Sequence, residues 1–243
     1  MHIHIRRVLR AVACTGGLAA IVAACIANPG SYVFTAGSET SLTLKDGSGG
    51  TRFTYSLGPE CGDGLDNDLD NTTDSLDAGC ASNQDASERS SGLQTFVSPT
   101  VPVNVASDGT FTVKANRLNF PEVEINGIGV TVQGVGSTIT SYSEDNAIAI
   151  DLPLKVNLVG LAFLQGMDCS VGPYTGHFRL QSYDSATGKA VFSAVGAPVR
   201  ALEESDCPSP YYTQINDALG LPGTADVTLS GIVANSAGEH PHG

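Results

Sequence analysis

Apolar and polar residues alternate with a period of two along most of the chain, the signature of strands that bury one face. Residues 40–44 and 52–57 both alternate, with Leu42, Leu44, Phe53, Tyr55 and Leu57 on the inward side; Asp46-Gly47-Ser48-Gly49-Gly50 makes a hairpin loop between them. Val101, Val103 and Val105 repeat the pattern, Ser107-Asp108-Gly109 turns, and Phe111 and Val113 return. Val123 and Ile125 meet Asn126-Gly127, the strongest short hairpin signal, and Val130 and Val132 follow. The span 147–164 is nearly all apolar; Pro153 and Gly160 divide it into two or more buried strands. Phe178 and Leu180 run into a turn at 184–188 and out through Val191, Phe192 and Val195, and Val227, Leu229 and Ile232 supply a last strand.

One helix interrupts this pattern. Ser209 suits an N-cap and Pro210 the first helical position; Tyr211, Ile215 and Leu219 share a face, and Gly220 ends the helix just before Pro222. Many short strands and one short helix predict an all-β fold, an antiparallel β-sandwich or barrel. The domain spans 39–234, with residues 25–38 as a spacer before it and 235–243 as a small, polar, disordered tail.

Composition narrows the partners. Charged residues are 15% of the chain, aromatics 6%, and Trp is absent, which disfavours an aromatic sugar platform. The formal net charge is −13. Removing residues 1–24 takes away Arg6, Arg7 and Arg10 and no acid, leaving 9 basic against 25 acidic residues, or −16. Such a chain repels nucleic acid and anionic lipid; its natural small partners are cations.

The N-terminus explains where such a chain would work. MHIHIRRVLR precedes a run of about fourteen mostly small apolar residues, a secretory signal too short to span a bilayer. Val22-Ala23-Ala24-Cys25 resembles the lipobox of bacterial lipoproteins, implying a lipid on Cys25 that anchors the exported protein to a membrane; ordinary cleavage after Ala27 is the alternative. With Cys14 and Cys25 set aside, four cysteines remain: Cys61, Cys80, Cys169 and Cys207. Three pairings are open to them, and locality favours Cys61–Cys80 and Cys169–Cys207, each worth roughly 3–4 kcal/mol in chain entropy.

The densest chemistry lies at 60–88, inserted between two strands. This stretch holds nine acidic residues and no Lys or Arg, bracketed by Cys61 and Cys80. Carboxylates crowd this closely when a hard cation sits among them. With Asp66 as position one of a twelve-residue loop, Asp68 falls at three, Asp70 at five, Thr72 at seven, Asp74 at nine and Asp77 at twelve. Those are the ligand positions of an EF-hand-type calcium loop, Thr72 contributing its carbonyl. Asn71 replaces the usual turn glycine, and Asp77 is shorter than the usual Glu, so affinity in the micromolar-to-millimolar range is expected. Asp63, Asp85 and Glu88 are candidates for a second ion. A solvated acidic linker is the competing reading, but it requires neither alternate spacing nor flanking cysteines.

No helical pattern flanks this loop, so it is not an EF-hand. It resembles thrombospondin type 3 and other Asp-rich extracellular calcium loops, and more closely a motif of secreted bacterial proteins of unknown role, C-x-D-G-x-D-N-D-x-D-G-x-x-D-x-x-D-P-G-C. Cys61, Asp63, Gly64, Asp66, Asn67, Asp68, Asp70, Asp74, Asp77, Gly79 and Cys80 match; Asn71 stands for Gly and Ala78 for Pro. The resemblance covers about one eighth of the chain and implies bound calcium.

No catalytic motif accompanies it. His177, the one histidine between the signal and the tail, reads as a surface or satisfied residue. Asp168, Glu203, Glu204 and Asp206 lack partners fixed by spacing and read as surface charges. Three functions therefore compete. The leading one is an exported envelope protein, not an enzyme, with structural calcium; the second is a ligand-binding module for a lipid, glycan or wall component; the last is a calcium-dependent hydrolase. Calcium is expected to raise the unfolding temperature of the oxidised protein, with EDTA or Asp68→Ala abolishing the rise. Superimposable melting curves with and without calcium would contradict the site.

Overall fold

The computed structural model describes residues 28–57, 80, 100–120, 123–125, 128–145, 147–159 and 169–241. In chain order the strands are β1 (Gly30–Ala36), β2 (Ser41–Asp46), β3 (Thr51–Ser56), β4 (Thr100–Val105), β5 (Phe111–Lys114), β6 (Val123–Ile125), β7 (Ile128–Gly134), β8 (Thr138–Thr140), β9 (Tyr142–Glu144), β10 (Ala147–Val159), β11 (Cys169–Asp184), β12 (Lys189–Val199) and β13 (Gly223–Ala234). The helix α1 (Tyr211–Leu219) lies between β12 and β13. All named pairings are antiparallel and belong to one curled sheet, as the alternation predicts.

Four long strands, β10 to β13, run through two compartments. At one end the ladder continues from β13 to β1, β4, β5 and β8. β9 pairs with β10, and one residue, Ser141, separates β8 from β9. Ser141 is buried; its N–H donates to Phe111 O and its Oγ accepts from Phe111 N–H, both at 2.8 Å. Counting β8 and β9 as one bent segment, eight strands close a barrel. At the other end the same sheet stays open, with β7 and β6 beside β10, and β2 and β3 beside β13. α1 packs into that trough through Ile215 and Leu219.

Bulges let the long strands serve both compartments, because an extra residue bends a strand and re-aims its side chains. The register shifts at 154–156 on β10, where Gly172 (φ 117°) faces it on β11, at 180–182 on β11, and at 194–197 on β12, where Gly196 has φ 66°. Three hairpin turns share one device: Asp46, Asp108 and Asp184 each accept hydrogen bonds from backbone and hydroxyl groups of the turn that follows. Those bonds, the hydroxyl of Ser48, Thr110 or Thr187 foremost, hold all three carboxyls below their ordinary pKa.

Several boundaries differ from the sequence reading. Residues 30–36 are not spacer but β1, seated between β13 and β4 with Tyr32, Phe34 and Ala36 inward. Pro153 does not break the run beginning at Ala147, where residues 147–159 form one 13-residue strand, and the expected division at Gly160 lies outside the described residues. Pro153 is tolerated because its carbonyl, and hence its missing N–H, faces an edge where the β9 ladder has ended and the β7 ladder has not begun; that carbonyl accepts from Val135 N–H instead. Ser209 is not the N-cap: the cap is Pro210, without a side-chain bond, while Gly220 ends α1 in the left-handed conformation as expected. The tail is ordered through Pro241, which is fully buried. Tyr183 Oη donates to Pro241 O at 2.6 Å, and a turn closes through Asn235 N–H to Glu239 O.

Close packing between β1 and β13 leaves no room at Gly231, where a Cβ would stand 2.4 Å from Thr35 O and 2.6 Å from the Phe34 ring. Gly231→Ala is therefore expected to destabilise the fold by about 1–3 kcal/mol, read as a lower urea midpoint. An unchanged midpoint would contradict the packing described.

Candidate functional site

The calcium candidates Asp63, Asp66, Asp68, Asp70, Thr72, Asp74, Asp77, Asp85 and Glu88 lie outside the described residues, as do Cys61 and the lipidation candidate Cys25. Their flanks are firm. Leu57, fully buried, donates its N–H to Thr40 O at 2.6 Å just after β3, and β4 begins at Thr100 inside the barrel wall. Cys80 is disulfide-bonded. Cys169 and Cys207 are bonded to each other as locality predicts, tying the start of β11 to the segment leading into α1. Among the described residues no group of three or more His, Cys, Asp or Glu is arranged to hold a metal.

The chain offers two other concentrations of chemistry, and the first lies on the outside of the barrel seam. Asp151 on β10 stands directly opposite His177 on β11, and β9 brings Tyr142 and Glu144 beside them. His177 Nδ1 is 2.8 Å from Asp151 Oδ1, and Nε2 is 2.9 Å from Glu144 Oε2. Tyr142 Oη donates to the other Asp151 oxygen at 3.0 Å, and Arg179 donates to Glu144 O at 3.3 Å. Hydrogen bonding to Asp151 is the largest effect and raises the His177 pKa; burial opposes it, and the bond to Glu144 and the charges of both carboxylates add to the rise. With a carboxylate at each nitrogen, the doubly protonated ring is the favoured form, and that form has no lone pair to act as a base. The cluster therefore works as a staple across β9, β10 and β11. His177 is a surface residue as expected, but it is not alone; the partners are distant in sequence, and the available signal was Asp151 on the outward parity of an apolar strand.

Asp206 is likewise engaged, by a two-pronged pair with Arg200 and by Glu203 N–H at 2.9 Å. That clamp shapes the loop before α1, and Asn216 secures the same loop through both backbone groups of Leu202.

The second concentration is of apolar surface. Inside the barrel a cavity of about 90 Å3 is lined by Phe34, Val101, Val103, Leu152, Ala190, Leu229 and their neighbours, and Pro241 closes one side. Tyr183 also lines it, its hydroxyl bonded to Pro241 and its pKa pushed up to about 12, chiefly by burial. A second cavity of about 120 Å3 lies in the trough between the sheet and the end of α1, lined by Leu44, Val156, Val171, Phe178, Val199 and Leu219 among others. Compared with known protein families, with curated proteins and with solved structures, the chain matches none.

The histidine staple carries a pH signature. Its folded-state pKa lies above the ~6.5 of a free histidine, so its stabilisation is full below about pH 6.5 and is lost as pH rises through the raised folded value. His177→Gln is expected to lower the melting temperature more at about pH 5.5 than at about pH 8.5. An equal loss at both pH values would contradict an ionic staple.

Proposed function

We propose that this is an exported cell-envelope binding module whose barrel interior holds a small apolar ligand, with the Asp-rich loop as an accessory structural calcium site. The observation that carries this reading is the pair of carbon-lined cavities inside the curled sheet. At about 24 cal/mol per Å3, leaving them empty costs roughly 2 and roughly 3 kcal/mol. That sum is a large share of the roughly 5–15 kcal/mol by which domains are stable. Apolar cavities of this order stay dry and take up benzene-sized or short hydrocarbon molecules rather than water.

A hydrocarbon chain of an envelope lipid fits this chemistry better than a glycan, because the cavity walls offer almost no polar partner for hydroxyl groups. The signal-like N-terminus, the lipobox-like sequence at Cys25 and the calcium-loop spacing of Asp66, Asp68, Asp70, Thr72, Asp74 and Asp77 support an envelope module tethered by a lipid anchor and exposed to millimolar calcium. Catalysis forms no part of the proposal, nor does nucleic acid. Among the described residues no helix is long and apolar enough to cross a membrane.

Ala190 is buried in the barrel wall and lines the inner cavity, so a larger residue there occupies ligand space. In delipidated protein, octanoate is expected to raise the melting temperature. Ala190→Leu is expected to stabilise the unliganded protein by about 0.5–2 kcal/mol while weakening the octanoate effect. A wild-type melting curve indifferent to octanoate would contradict the proposal.

A further inference from the structure

We propose that the ring of Phe178 divides one continuous hydrocarbon channel into two chambers and so sets the length of chain the protein accepts; this rests on the interior being a binding site. The two cavities follow one another along the same four strands. From the barrel chamber to the trough chamber the wall passes from Leu152 to Leu154 on β10 and from Phe192 to Ala194 on β12. On β11 it passes from Leu180 to Phe178, and on β13 from Leu229 to Val227. Each step is two residues, one repeat on the inward face, so a single layer of side chains separates the chambers.

Within that layer Phe178 is the bulkiest group: it heads the fully buried side chains of the described residues by volume and is 1% exposed. It belongs to the barrel core yet lines the trough cavity, which is the position of a partition. Gly176 makes room for it, since a Cβ there would stand 2.6 Å from the ring's Cε2. The other side chains of the layer are aliphatic or, at Ala194, a single methyl, so removing the ring joins the chambers. On β13 the joined space runs from Val233 to Ala225, roughly 25 Å at ~3.3 Å per residue. A long, narrow, apolar space of that form takes one linear acyl chain in preference to a fused-ring ligand.

The test titrates the delipidated full chain with octanoate and with palmitate by isothermal titration calorimetry. Wild type is expected to bind octanoate about tenfold more tightly than palmitate, the long chain being shut out of one chamber. Phe178→Ala is expected to abolish or reverse that preference; Phe178→Leu, which keeps an apolar layer and a stable core, moves it in the same direction. A preference unchanged in Phe178→Leu, with octanoate still bound, overturns the partition and leaves the binding reading standing. Absence of binding heat for both fatty acids in wild type overturns both.

Discussion

Closure of the hydrogen-bond circuit through residues 138–144 is the constraint on which the molecule depends. β8 and β9 contribute three residues each, and Ser141 between them is locked to Phe111 by two backbone-directed bonds. Closing the circuit removes the exposed edges an eight-stranded sheet would otherwise present, and it encloses a volume that side chains must fill. So short a seam needs reinforcement, and the row formed by Tyr142, Glu144, Asp151, His177 and Arg179 supplies it from outside. The charged cluster and the apolar interior are thus two faces of one problem.

Why the interior is incompletely filled follows from what lines it. β4 sends in Val101, Val103 and Val105, and β12 sends in Ala190 and Ala194; the chain has no Trp to span the gap. Branched side chains on stiff strands cannot collapse into the centre of a barrel held open by its own hydrogen bonds. The trough meets the same difficulty differently. There α1 and its disulfide-tied loop act as the filling, and a cavity persists beneath Leu219 and Leu221. Among the described residues, Phe178 is the fully buried ring of the barrel core that also lines the trough cavity.

Much of the architecture was legible because the period-two signal is local. Val101, Val103 and Val105 face inward as their alternation requires, and β6 pairs with β7, Ile125 opposite Ile128, on either side of the expected hairpin at 126–127, which lies outside the described residues. β1 was missed although Tyr32, Phe34 and Ala36 alternate, because it follows a signal-like sequence and a glycine where a spacer is usual. Pro153 misled because proline breaks a strand only where its N–H would have met a neighbour, and sequence does not say which edge is bare. The tail was misjudged for a related reason: Pro241 and Tyr183 meet only after the barrel has formed. His177 and its carboxylates come together from three strands, and a cavity is a property of volume rather than of any residue. The acidic loop is the reverse case, legible as a motif in sequence and lying outside the described part of the structure.

The scaffold's hydrogen bonds hold open a space its own side chains leave empty, and an acidic, cysteine-bracketed segment lies between β3 and β4 in the sequence. The measurement that tests this most directly is the electron density inside the barrel of protein purified without detergent from an exporting bacterial host. The account predicts chain-like density within the barrel chamber, on one side of Phe178, in van der Waals contact with Leu152, Leu180 and Leu229. An interior holding ordered water, or one collapsed so that those side chains touch, would contradict it.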